Sequence, residues 1–315
     1  MPKAGPITAD SSVFAGLPVQ RVTLGSGAEH VAVHIAGRLS TGRLPLICVP
    51  GYQRNMADFA DFVPALHRAL ETDWPVVLVD LRGRGRSAYR RRADDYNTIN
   101  DARDLSVVAR ALGIEAAIFM GQGHGGQVIM TLAAERPALI VVAILVDAGP
   151  VTAPESLVRL RSNSDAILGT RGAAGLAIML RRMQASDYPD ASPEELDRLA
   201  QRTHLLDESG RARTLFDPAL IERLRGLAPD DVLVPQWQLF DLLKRVPLLL
   251  VRSELSDQLP RHIFEEMLER RADAASIVLR RQGSPALLNG DDEAGGIAAF
   301  IAEVTQPDTR TVRRA

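Results

Sequence analysis

A chain of 315 residues, 46% hydrophobic and 24% charged, has enough apolar material for a large buried core and falls in the range of one large or two modest domains. Its 37 basic and 39 acidic residues leave a formal net charge of -2, too small a field to favour nucleic acid or a membrane surface as partner. The single cysteine, Cys48 in "LPLICVPG", excludes an intrachain disulfide and reads as a buried apolar thiol.

In chain order, "VQRVTL" and "HVAVHI" alternate with the period of a strand, and "PLICVP", "PVVLVD", "AAIFMG" and "VVAILVD" read as fully buried strands. Between them, "ADFADFVPALHRAL", "NDARDLSVVARALG" and "GGQVIMTLAAERP" carry apolar residues at helical spacing and end on Gly or Pro. Two antiparallel strands followed by strand-helix units predict an α/β fold, a mostly parallel sheet of eight strands with helices on both faces. From 150 to 246 only helical periodicity remains. The sheet pattern then resumes with "PLLLVRSE", "PRHIFEEMLERR", "ASIVLRR" and "DDEAGGIAAFIAEV". The division expected is therefore a core of residues 1–149 and 247–315, with a helical lid over 150–246 set in after strand six. The "GDDEAGG" run is expected to cap the last helix, and the first dozen residues and the tail "TQPDTRTVRRA" are expected to lack structure. No signal segment or membrane span is legible, which makes the cytoplasm the expected location.

The stretch "IFMGQGHGGQVIM" admits two readings. Gly121, Gly123 and Gly126 fit G-x-G-x-x-G between a strand and a helix, and Asp147 ends the next strand, as in a dinucleotide fingerprint. Against this minor alternative, the loop follows the fifth strand rather than opening the first unit. The other reading is a strand-to-helix turn of the G-x-S-x-G type with glycine in place of its serine.

Five ordered stretches, "VPGYQRN", "DLRGRGRS", "GQGHGG", "RSELSD" and "QGSPALLN", resemble the α/β-hydrolase superfamily between about residues 20 and 305, most closely its lid-bearing hydrolases of small organic molecules. The resemblance implies an α/β-hydrolase fold and, as family reaction, hydrolysis of a small apolar ester, lactone or similar compound. It places the nucleophile at Gly123, the general base at Ser284 and the orienting acid at Asp257. It places the two main-chain donors of an oxyanion hole at Tyr52, beside Gly51, and at His124. It makes "DLRGRGRS", with Arg82, Arg84 and Arg86, a turn packed beside the elbow.

Glycine has no side chain to form an acyl-enzyme, and a serine hydroxyl is no base near neutral pH. None of the other histidines, His30, His34, His67, His204 and His262, fits the base position, and His124 is expected to pack or cap locally. Hydrolytic impairment with retained ligand binding is the resulting expectation, and whether the chain is an enzyme is left open. The alternative is a hydrolase that activates water with Asp257 or Glu254. Met179, Leu180, Met183, Trp237 and Phe240 are expected to line an apolar cavity under the lid, suited to a small apolar or aromatic molecule. No metal or cofactor is expected, and the oligomeric state is not legible.

Overall fold

The computed structural model describes residues 12–25, 27 and 29–306. The two terminal stretches expected to lack structure lie almost wholly outside these residues. Eight strands form one sheet: β1 (Gln20–Thr23), β2 (His30–Ala36), β3 (Leu46–Val49), β4 (Val76–Asp80), β5 (Ala117–Gln122), β6 (Ile140–Val146), β9 (Leu248–Ser253) and β10 (Ala275–Leu279). Their spatial order is β1-β2-β4-β3-β5-β6-β9-β10. β1 and β2 join antiparallel, as do β2 and β4, and every other pairing is parallel.

The continuous apolar runs are explained by burial on both faces. In β3, Leu46 and Cys48 join one core cluster while Ile47 and Val49 join the other, and β5 divides Ile118 and Met120 from Phe119 in the same way. α1 (Phe62–Ala69) and α10 (Asp291–Thr305) cover one face through Phe62, Leu66, Ile297 and Ile301. α2 (Thr98–Ala111), α3 (His124–Glu135) and α9 (Arg261–Arg270) cover the other through Leu105, Ile129, Leu132 and Met267. Cys48 is fully buried among apolar groups, and burial raises its thiol well above the ordinary value.

Between β6 and β9 the chain forms α4 (Pro154–Leu168), α5 (Ala173–Gln184), α6 (Pro193–Gln201), α7 (Ala219–Glu222) and α8 (Trp237–Asp241). The expectation of an all-helical segment is corrected by an antiparallel hairpin, β7 (His204–Leu206) with β8 (Ala212–Thr214). Asp207 makes its turn by accepting hydrogen bonds from the amides of Ser209 and Arg211, with Gly210 at φ 72°. The segment is fastened to the sheet side by side-chain bonds, including Tyr96 Oη to Asp217 (2.6 Å) and Tyr188 Oη to the Pro285 carbonyl (2.7 Å). No helix among the described residues is long and apolar enough to cross a membrane.

Candidate active site

The carboxyl ends of the central strands set the site. β5 runs into α3 through Gly123, which holds φ 49° and ψ -114°, a conformation rare for any residue with a Cβ. The neighbouring glycines answer to close approach. A Cβ on Gly125 would lie 2.2 Å from the Val49 carbonyl oxygen, and one on Gly126 would lie 2.3 Å from Ala148 Cβ. A Cβ on Gly121 would likewise lie 2.5 Å from the Gly126 nitrogen, and with the φ of Gly123 these close approaches account for the Gly121, Gly123 and Gly126 spacing that suggested a dinucleotide loop. Asp147, the other half of that reading, has its carboxylate taken up by Ser253, from whose amide and hydroxyl it accepts bonds of 2.7 Å each. Burial raises Asp147 to about 6 despite those bonds.

Gly123, Asp257 and Ser284 line one cavity of about 130 Å³ between the strand ends and the helical segment. Among the described residues, no imidazole is hydrogen-bonded to either of the last two. Asp257 Oδ2 instead accepts from Arg159 Nε of α4 (2.7 Å), and the same guanidinium reaches Asp187 (2.8 Å). Asp257 Oδ1 has no hydrogen-bond partner among the described residues. The space a nucleophile side chain needs is also taken, since a Cβ on Gly123 would sit 2.4 Å from Gln258 Oε1. Neither Arg159 nor Gln258 is marked by a motif. Only the position of Gln258 next to Asp257 hinted at it.

Tyr52 and Gly51, on the loop after β3, line the same cavity. The Tyr52 ring meets the His124 ring edge-on at 5.4 Å, and its hydroxyl donates to the Leu220 carbonyl (3.2 Å). His124 faces away from Asp257 and bonds Asp101 of α2 through Nε2 (2.9 Å). Burial lowers the His124 pKa, so the ring is neutral near pH 7, giving its Nε2 hydrogen to Asp101. Burial opposes ionisation of Asp101, but Arg84, His124 and Arg90 outweigh it and hold the carboxyl well below the ordinary range. Arg84 is fully buried and donates through Nε to the Tyr52 carbonyl (2.7 Å), which places the arginine-rich turn beside the elbow.

Of the expected lid residues, Met183 and Leu180 line the cavity. Met179 packs into the cluster that these two share with Leu176 and Ala200 and does not itself line the cavity. Phe240 and Trp237 are corrected outright: α8 packs on α3, Phe240 is buried in the main core, and the Trp237 ring lies under Arg270 at 4.1 Å. Their apolar periodicity served the sheet rather than a cavity. Glu254 is exposed and accepts from the Arg281 amide (2.9 Å), away from the cavity lining. The lining is apolar for the greater part, with Leu160, Ile167 and Phe216, and also carries Gln53, Gln122, Gln184 and His204.

A sheet of this order, with a strained strand-to-helix turn at its middle strand, is shared with known proteins. Residues 45–178 match the family profile of the alpha/beta hydrolase fold. An alpha/beta hydrolase of Novosphingobium aromaticivorans is 30% identical with a TM-score of 0.78, the match covering 91% of this chain and 99% of that one. The 3-hydroxybutyrate-oligomer hydrolase of Cupriavidus necator is 29% identical over 80% of this chain and 86% of its own length. E-2-(acetamidomethylene)succinate hydrolase, 22% identical, shares the fold with a TM-score of 0.69 over 90% of this chain and 99% of its own. The chain belongs to the α/β-hydrolase superfamily, and the dinucleotide reading falls.

Proposed function

We propose that this protein keeps the ligand cavity of its superfamily while lacking acyl-transfer chemistry, and that it holds a small molecule beneath residues 150–246, which act as a lid. The observation that carries this reading is Gly123: at the turn where the attacking oxygen belongs there is no side chain, and Gln258 fills the space. Ser284 in the base position and the pairing of Asp257 with Arg159 support it independently. In triad enzymes, loss of nucleophile or base lowers kcat about a million-fold, leaving roughly a thousand-fold over water from binding and the oxyanion hole. The amides of Tyr52 and His124 need no particular side chain, and His124 opens α3, where helix geometry gives its N–H no intrahelical acceptor. In this reading the two amides are what receives a ligand carbonyl.

Turnover of 4-nitrophenyl acetate and of small lactones separates this reading from water activation by Asp257, whose unpartnered Oδ1 favours that second possibility. The native chain is expected to show no acyl-enzyme burst, whereas Gly123→Ser with Ser284→His, in a background of Gln258→Ala and Arg159→Met, gains one. Native turnover above about 1 per second, within the usual enzyme range, and abolished by Asp257→Asn, would overturn the proposal.

A further inference from the structure

A second cavity, of about 170 Å³, shares Tyr52, Gly123, Ser156, Leu160 and Gln258 with the first but is lined by none of Arg159, Asp257 and Ser284. Most of its polar groups are engaged already. The Tyr52 hydroxyl is given to Leu220, Asp147 accepts from Ser253, Ser156 Oγ donates to the Ala153 carbonyl (2.8 Å), and Gln127 Nε2 donates to Thr152 Oγ1 (2.5 Å). His124 is different. Its ring makes one hydrogen bond, through Nε2 to Asp101, and Asp101 also receives the buried Arg84 (3.3 Å) and Arg90 (2.6 Å). Those two cations keep Asp101 a carboxylate, so the hydrogen of the Asp101–His124 bond sits on the ring, and Nδ1 of the neutral imidazole presents a lone pair. Nδ1 has no partner among the described residues and is not sealed from water-sized space, although the side chain is only 9% exposed. A lone pair held in this way, with its tautomer and direction fixed by a charged neighbour, is met only by what enters the cavity.

We infer that this second cavity binds small neutral phenols, with the phenol hydroxyl donating to His124 Nδ1. A phenol O–H is a stronger donor than an alkyl hydroxyl, and its ring has Leu157, Leu160, Leu224 and Leu233 to lie against. The phenol oxygen can in turn accept from the Gln258 amide, which has no side-chain hydrogen bond among the described residues. Two other groups compete as anchors. Gln127 Oε1 also lacks a partner among the described residues, but it ends a rotatable chain, whereas the imidazole is fixed by Asp101. Asp147 would favour an ammonium ligand, yet Ser253 occupies both of its oxygens. At about 170 Å³ the space equals about a dozen water-sized units, enough for one substituted ring.

This inference goes beyond the proposed function and concerns a different cavity, so either can fail alone. Nuclear magnetic resonance of the native chain carrying nitrogen-labelled histidine tests it, by titration with 4-methylphenol, 4-methylanisole and 4-methylbenzylamine. The phenol is expected to move the His124 Nδ1 resonance upfield and to bind at least about tenfold tighter than the ether, which keeps the shape and loses the donor. Gln127→Leu is expected to keep that preference and His124→Phe to lose it. Leu233→Trp, which fills this cavity, is expected to weaken the phenol severalfold, whereas Met183→Trp in the first cavity leaves it unchanged. The ether or the amine binding as tightly as the phenol, saturation by the phenol without movement of Nδ1, or no binding of the phenol overturns the inference. The Nδ1 response belongs to the native chain, so the test stands even if His124→Phe fails to fold.

Discussion

Gly123 combines two constraints that differ in cost. Its φ of 49° and ψ of -114° would strain any residue with a Cβ by about 1–3 kcal/mol. The contact with Gln258 is with the far end of a flexible side chain, which can swing aside for less. Backbone strain therefore dominates. Gly123→Ala is expected to lower stability in urea unfolding by about 1–3 kcal/mol, with only a minor part recovered on adding Gln258→Ala. A neutral Gly123→Ala would mean that the turn relaxes, and the elbow conformation would then say little about the position. The family resemblance pointed to Gly123, Ser284 and Asp257 because each lies in a local motif, and the three line one cavity. The occupancy of the nucleophile space was not legible, because it depends on where the Gln258 side chain from another loop ends.

At the scale of elements, two ion-pair systems bind the structure with unequal strength, and burial decides which matters. Asp101 of α2 is fully buried and joins His124 at the start of α3 to Arg84 and Arg90 of the loop after β4. Asp101→Asn would leave the buried Arg84 guanidinium without its carboxylate and Arg90 with Asp104 alone, a change that costs about 3–5 kcal/mol in comparable pairs. Arg159, tying α4 to the loop after β9, is 40% exposed and its partner Asp257 is 32% exposed. Solvent screens that pair, so Arg159→Met is expected to cost under about 1 kcal/mol. Thermal unfolding followed by circular dichroism checks both, and a larger loss for Arg159→Met than for Asp101→Asn would reverse the assignment. The strands were legible because burial on both faces demands unbroken apolar runs. β7 and β8 were not, since three-residue strands leave too few positions to show a period of two. α8 was legible as a helix, but periodicity does not say which surface its apolar stripe meets.

For the molecule as a whole, the carboxyl edge of the sheet carries buried acids whose ionisation works against folding. Asp147 joins the end of β6 to the end of β9 through Ser253, and burial raises it to about 6 from an ordinary 3.8. Between those two values the folded chain holds a proton that the unfolded chain has released. This group's contribution is therefore most favourable below about pH 4 and is lost as pH rises through about 6. A shift of that size corresponds to about 3 kcal/mol. His204, lowered to about 3, acts in the opposite direction over an overlapping range and masks the effect in the native protein's own profile. Asp147→Asn isolates it, because the histidine term is common to both proteins. The stability advantage of the native chain over Asp147→Asn is expected to shrink by about 3 kcal/mol between pH 4 and pH 7 in urea titrations. A constant or growing difference would mean that Ser253 and the surrounding donors stabilise the carboxylate more than burial penalises it, and that the strand ends are joined by a charged group rather than a neutral one.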